Sequence, residues 1–160
     1  MRMRRRAALL AGLGALALGR RAGAAETPAE AARALYASFV AAQNAHDFAA
    51  VRATLLDGPE FLWVTNGLAV RGPDAAIARM QGFHANEVWR IDPAWDRAQA
   101  IAHGPDAAVL HVPLVLSVGR AAAPDRYRIL ISALCLRRAE GWRIAALFTT
   151  DANPEGWPEG

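Results

Sequence analysis

Two periodicities of apolar residues divide the chain after its first 25 residues. Up to about Asn86, apart from a short alternating run at residues 61–65, apolar positions recur every three or four residues, which is the spacing of helices that bury one face. From Val88 onwards they alternate with a period of two over long runs, which predicts strands. Helices followed by antiparallel strands are the order of an α+β domain.

Three helices are predicted, each with its own start signal. The first opens at Thr27–Glu30, a capping box with proline at the first helical position. Asp47 can cap a second helix that ends at about Leu56. Gly72–Asp74 again carries proline at a first helical position, and it predicts a third helix that runs to about Asn86.

A short hairpin is predicted between the second and third helices. The run FLWVT alternates like a strand, and Asn66-Gly67 suits a two-residue turn in which both residues need φ > 0. Longer strands follow the third helix: Val88 to about Ile101 with a break at Pro93, Ala107–Val118, Arg126–Arg138 and Trp142–Thr150. Residues 120–125 are expected to form the hairpin loop between the second and third of these strands.

The strand Ala107–Val118 has two apolar faces. The face that begins at Ala108 and ends at Val118 is uninterrupted, so we expect it to pack on the helices. The opposite face carries Val109, His111 and Val115, and it is more apolar than a solvated face should be. This excess predicts a homodimer formed through the outer face of the sheet.

Residues 1–25 have the pattern of an export signal. Four arginines precede the apolar run Ala7–Gly19, and Ala22–Ala24 supplies small residues for cleavage. A helix over that run would rise about 20 Å against a hydrocarbon core of about 30 Å, so we expect cleavage rather than a membrane anchor. Arg5-Arg6 resembles a twin-arginine signal, although the general secretory route stays open. The predicted destination is periplasmic or secreted.

The charge of the chain changes when this leader is set aside. It holds six of the 18 basic residues and no acid, so residues 26–160 carry 12 arginines against 15 acids. These residues contain no cluster of basic side chains, so a nucleic-acid partner is not expected. No lysine exists to form a Schiff base, and Cys135 lies in an apolar strand where a buried thiol is expected. No phosphate-binding glycine loop and no metal-ligand spacing of the four histidines occur, so no cofactor or metal is expected.

The order of these elements resembles a known superfamily. The segments FVAAQNAHDFAAVRATL, FLWVTNGLAVRG and GWRIAALFTTD are similar to the nuclear-transport-factor-2-like (NTF2-like) superfamily, most of all its SnoaL-like or DUF4440-type branch. The resemblance covers Ala29–Asp151 and implies a cone: three helices on a curved, mainly antiparallel sheet, the NTF2-like or cystatin-like fold. It further implies a small apolar ligand in the cone and a dimer through the sheet. We assign the domain to residues 26–151 and a tail to residues 152–160.

The resemblance also allows enzyme chemistry to be tested by position. A ketosteroid-isomerase-like member would need a tyrosine where this chain has Phe39, a base aspartate within FLWVT, and a protonated aspartate near Ala133. None of the three is present, so that enolisation is not expected.

A dehydratase-like member would use histidines with tyrosines, for which this chain offers His84, His111, Tyr36 and Tyr127. Strand alternation puts His111 on the outer face. His84 is either a general base at the mouth of the cone or a surface histidine at a helix C-terminus.

Asp151 ends the last strand, either lining the mouth of the cone or lying in a solvated turn. His84 and Asp151 are therefore weak catalytic candidates. His46-Asp47 looks like a dyad, but Asp47 is better explained as a helix cap.

Aromatic residues supply the expected wall of a ligand site, although aromatics at these spacings also build cores. The expected ligand-binding residues are Tyr36, Trp63, Phe83, His84, Trp89, Tyr127 and Phe148. Three hypotheses follow: an exported protein that binds a small apolar molecule, a cofactor-free lyase, isomerase or hydrolase, or a structural or partner-binding dimer whose cone is filled by its own side chains.

Overall fold

The computed structural model describes residues 26–152. The predicted α+β architecture is confirmed, with three helices packed on one large sheet. The helices are α1 (Pro28–Asn44), α2 (Phe48–Thr54) and α3 (Pro73–Phe83). The strands are β1 (Leu62–Thr65), β2 (Leu68–Arg71), β3 (Val88–Pro93), β4 (Gln99–Ala102), β5 (Ala107–Arg120), β6 (Ala123–Arg138) and β7 (Gly141–Asp151), with a 3₁₀ turn at Trp95–Arg97. The predicted export signal and nearly all of the predicted tail lie outside the described residues.

The helix boundaries follow the predicted caps. The Thr27 hydroxyl accepts a hydrogen bond from the Glu30 amide at 3.2 Å, while the Thr27 amide donates to the Glu30 carboxylate at 2.8 Å. The Asp47 carboxylate accepts from the Ala50 amide at 2.9 Å and caps α2. The third helix ends at Phe83, earlier than predicted, because the Asn86 side chain donates to the Phe83 carbonyl and closes the helix there.

The sheet has the strand order β2-β1-β7-β6-β5-β3, and β4 pairs with β5 beyond the end of β3. One pairing, β1 with β7, is parallel, and the others are antiparallel. Asn66 and Gly67 take φ values of 49° and 72°, as the predicted turn requires. Pro93 ends β3, so the predicted break is confirmed.

The predicted loop at residues 120–125 is wrong, since the ladder of β5 and β6 continues to the pair Arg120 and Ala123. Pro124 suggested a loop because it lacks an N–H donor, yet it pairs with Gly119 at the end of the hairpin. The turn amide of Ala121 donates instead to the Glu87 carboxylate at 2.8 Å. An acceptor from outside the hairpin thus makes the tight turn possible.

The apolar face predicted for β5 packs toward the helices. Ala108, Leu110 and Val112 are fully buried, and so is the facing Cys135 of β6. Burial raises the pKa of the Cys135 thiol to about 12, which agrees with the unreactive thiol expected there. Further along β5, from Leu116 onwards, the same face becomes half-buried because it leaves the helices and borders a hollow.

The first helix is fixed to the sheet by side chains that bond to backbone. The Asn44 amide donates to the Ile91 carbonyl at 2.9 Å and accepts from the Ile91 amide at 2.8 Å. Near the other end of the helix, the Arg33 guanidinium donates to the carbonyls of Trp95 and Ala98 at 2.9 and 2.8 Å. These bonds hold α1 at a set distance from the sheet and leave the hollow open between them.

None of the helices in residues 26–152 has the length and hydropathy that a membrane span needs.

Candidate functional site

The hollow between the helices and the concave face of the sheet is a cavity of about 400 Å³. The deep end of the cavity is the face of α1 formed by Tyr36, Phe39 and Gln43, which are at most 4% exposed. Its mouth is formed by Asn66, Tyr127 and Asp151, all of which are exposed. A cone filled by its own side chains, one of the three hypotheses, is therefore not what the described chain forms.

Most of the residues predicted for the ligand site border this cavity. They are Tyr36, Trp63, Phe83, Trp89 and Tyr127, together with the catalytic candidate Asp151. The Trp63 indole donates to the Thr149 hydroxyl at 3.0 Å, which fixes the indole against the wall. The rings of Phe83 and Trp89 stack with their centroids 5.9 Å apart. The aromatic wall is thus held in place by contacts of its own.

Phe148 does not border the cavity, so its predicted place in the wall is wrong. Counting alternate residues of β7 from the buried Ile144 would put Phe148 inside. A β-bulge shifts the register after Cys135 and inserts Ala145, so that Leu147 and Thr149 face inward instead. Phe148 consequently points to the outer face, where it is 42% exposed.

His84 does not border the cavity either, and it is not on the surface. It forms the C-terminal cap of α3 and is only 9% exposed. Its ring lies behind the wall and packs on three other rings, those of His46, Phe48 and Trp89, with centroid distances of 4.4 to 4.9 Å. Both predicted roles, a general base at the mouth and a surface histidine, are replaced by a buried structural position.

The two ring nitrogens of His84 have defined partners. Nδ1 lies 3.1 Å from Nδ1 of His46, and Nε2 lies 3.4 Å from Oε1 of Gln43. His46 reaches this position because its backbone adopts a left-handed conformation, with φ of 57°, between α1 and α2. The adjacent Asp47 serves as a cap, as predicted, so His46 is linked to His84 and not to its neighbour in sequence.

Burial also determines the charge state of His84. Desolvation, with a smaller effect of the nearby His46, lowers the pKa of His84 to about 4. The ring is therefore neutral at physiological pH, with one nitrogen donating and the other accepting.

The paired histidines that a dehydratase-like mechanism needs are not brought together. His111 lies on the outer side of β5, where its Nδ1 is 2.9 Å from the Ser132 hydroxyl. His84 is on the opposite side of the sheet, behind the cavity wall. The position that a ketosteroid-isomerase-like tyrosine would occupy, Phe39, does border the cavity but carries no hydroxyl.

Two buried polar residues of the wall were missed as site residues from the sequence. Gln43 and Thr65 border the cavity and are each 4% exposed. The sequence carried a signal for Gln43, because this residue falls on the apolar face of the first helix, where a polar side chain is unusual.

Burial also raises the pKa of Tyr36, so the phenol at the deep end stays protonated. Within residues 26–152, no group of three or more His, Cys, Asp or Glu side chains is placed to hold a metal.

Comparison with solved structures identifies this architecture. An uncharacterized protein with a cystatin-like fold from Caulobacter vibrioides is 19% identical, with a TM-score of 0.69 over 81% of this chain and 92% of that one. An NTF2-like protein from Novosphingobium aromaticivorans is 15% identical, with a TM-score of 0.66 over 79% and 83%. A ketosteroid isomerase-like protein from Erwinia carotovora atroseptica is 17% identical, with a TM-score of 0.63 over 79% and 97%.

The described chain has the NTF2-like fold. This confirms the resemblance drawn from the sequence at the level of the fold. No protein-family model matches the sequence, and no curated protein matches it either. Since the NTF2-like fold carries many unrelated activities, function has to be derived from the cavity.

Proposed function

We propose that this protein binds a small, mainly apolar molecule inside the cone. The observation that carries the proposal is the open cavity of about 400 Å³ between α1 and the sheet. Pockets for small molecules have this size and combine an apolar wall with a few polar groups. Here the apolar side chains come from both layers, and the polar groups are the buried Gln43 and Thr65 and the residues of the mouth.

Catalysis is less well supported than binding. Asp151 is the one carboxylate that borders the cavity within residues 26–152, and it lies at the exposed mouth. His84, the other candidate for acid–base work, is kept neutral and has no access to the cavity. A lyase, isomerase or hydrolase would therefore have to work with Asp151 and the tyrosines alone.

Two further proposals concern the setting of this activity. We propose that residues 1–25 direct export and are removed, because their sequence contains arginine, apolar and small-residue segments in the order of an export signal.

We also propose that two copies associate through the outer face of the sheet. The exposed Phe148 and the half-buried apolar residues Val115 and Leu134 support this, because water otherwise covers an apolar surface there.

Neighbouring residues of β5 provide a matched test of the binding proposal. Leu116 borders the cavity, whereas Val115 faces the outside of the same strand. Leu116→Trp should reduce the space available to a ligand, and Val115→Trp should not. The probe is 2-isopropenylnaphthalene, an uncharged molecule small enough for the cavity, and binding is measured by isothermal calorimetry.

We expect Leu116→Trp to weaken binding by about tenfold or more, equivalent to about 1.4 kcal/mol, and Val115→Trp to change it little. Near-UV circular dichroism of both variants verifies that the fold is kept. Equal losses in the two variants, or no binding by the unmodified protein, would contradict the proposal.

A further inference from the structure

Gln43 is a buried polar residue whose amide is only partly used. It lies on the face of α1 that borders the cavity and is 4% exposed. Within residues 26–152, the contact of its Oε1 with His84 is the one hydrogen bond that its side chain makes. Its amide nitrogen has no hydrogen-bond partner among these residues and keeps some accessible surface, and the side chain that carries it borders the cavity.

The direction of this amide and the tautomers of the two histidines are linked. A neutral imidazole has one N–H donor and one acceptor nitrogen. Since Gln43 Oε1 can only accept, His84 must carry its proton on Nε2 and donate it to that oxygen. His84 Nδ1 is then an acceptor, and the N–H that it accepts comes from Nδ1 of His46. The chain of bonds runs from His46 through His84 to Gln43.

The amide of Gln43 therefore places a hydrogen-bond donor at the cavity. With its oxygen turned toward His84, the amide of Gln43 presents its NH₂ group to the hollow. In an apolar wall, a donor without a partner is costly to leave unsatisfied, and a ligand that supplies an acceptor removes that cost.

We propose that Gln43 is a specificity-determining residue that binds a carbonyl or similar acceptor oxygen of the ligand, with His84 and His46 as the positioning residues that orient it. This inference rests on the proposed binding function and narrows the ligand class to apolar molecules that carry an acceptor oxygen near one end. The reverse arrangement, with the amide oxygen facing the cavity, would select ligands that donate a hydrogen bond. The two arrangements therefore predict opposite ligand preferences.

A pair of isosteric probes tests the inference. The ketone 2-acetylnaphthalene and the hydrocarbon 2-isopropenylnaphthalene differ in a C=O against a C=CH₂ group and have nearly the same shape. The measured quantity is the ratio of their dissociation constants, determined by calorimetry. The two probes differ in their free energy of hydration, but this difference is the same for the protein and its variants. It therefore cancels when their ratios are compared.

Three variants give the comparison its controls. Gln43→Leu removes the donor, and Thr54→Val removes a buried hydroxyl that lies outside the cavity. We expect Gln43→Leu to lower the preference for the ketone by about tenfold, as the loss of one buried hydrogen bond implies, and Thr54→Val to leave it unchanged. His84→Leu should lower affinity for the ketone while affinity for the hydrocarbon stays the same, because the amide is then free to rotate.

The outcomes separate this inference from the proposed function. Failure of the unmodified protein to bind either probe would overturn both. Binding of both probes with an unchanged ratio in Gln43→Leu would overturn the inference alone, and so would a ratio that changes equally in Thr54→Val. If Gln43→Leu does not fold, Gln43→Met, which keeps the unbranched shape of the side chain but has no donor, should show the same loss. The side-chain NH₂ resonances of Gln43 should also shift further downfield on addition of the ketone than on addition of the hydrocarbon, because only the ketone accepts a hydrogen bond.

Discussion

The buried position of His84 predicts that the protein loses stability in mild acid. The perturbation is a change of pH from 7.5 to 5.0. In the folded protein, burial lowers the pKa of His84 to about 4 from an ordinary value of 6.5. As the pH falls below about 6.5, the unfolded chain therefore binds a proton that the folded protein does not bind, so the free energy of unfolding falls as the pH is lowered.

The size of the effect follows from the two pKa values of His84. One pKa unit corresponds to 1.36 kcal/mol, so the complete difference is about 3 kcal/mol and is reached only near pH 4. At pH 5.0 the expected loss is about 2 kcal/mol. At pH 7.5 the ring is neutral in both states and costs almost nothing. The effect is large beside the total stability of a typical domain, which is about 5–15 kcal/mol.

The assay is urea unfolding of the protein and of His84→Gln at both pH values. Glutamine fills part of the same space and can still donate to Gln43, but it does not titrate. The carboxylates whose pKa values are lowered in the fold, Glu30 and Asp57, contribute equally to both proteins. The unmodified protein should lose about 2 kcal/mol more than the variant between pH 7.5 and 5.0. Equal losses would refute the reasoning, because His84 would then have to titrate freely in the fold.

Two other predictions concern stability and assembly. Asn44→Ala should lower the free energy of unfolding by about 2 kcal/mol, since both backbone groups of Ile91 lose their partner, whereas Asn44→Asp keeps the acceptor and should lose less; urea unfolding measures both. Sedimentation should show a dimer at tens of micromolar, and Phe148→Arg on the exposed outer face should shift it to monomer. A monomer before substitution would remove this explanation of the apolar outer face.

The local elements were predictable because short-range chemistry defines them. The Thr27 and Asp47 caps and the Asn66-Gly67 turn each satisfy backbone groups within a few residues. The inner face of β5 followed from alternation alone, since no bulge interrupts the pairing of that strand with β6 along its buried half. The cone followed from the order of these elements through the resemblance.

The parts of the site that the sequence did not give depend on longer-range geometry. Phe148 was included in the wall as one of the aromatic residues, and the bulge at Ala145 that turns it outward cannot be seen in the pattern of β7, where residues on both faces are apolar. His46 and His84 are 38 positions apart, and their contact exists only because α2, which follows His46, packs on α3. A role for Gln43 could be assigned only from that contact, since the direction of its amide is linked to the tautomer of His84.

The central claim is that a ligand occupies the hollow between α1 and the sheet, and a crystal structure with 2-bromonaphthalene tests it most directly. The anomalous signal of bromine locates the probe independently of any assumption about the site. We predict a bromine peak inside the cavity, in contact with side chains such as Leu114 and Ile131 that border its deep part. A peak confined to the outer face of the sheet beside Phe148, with the cavity unchanged, would contradict the account.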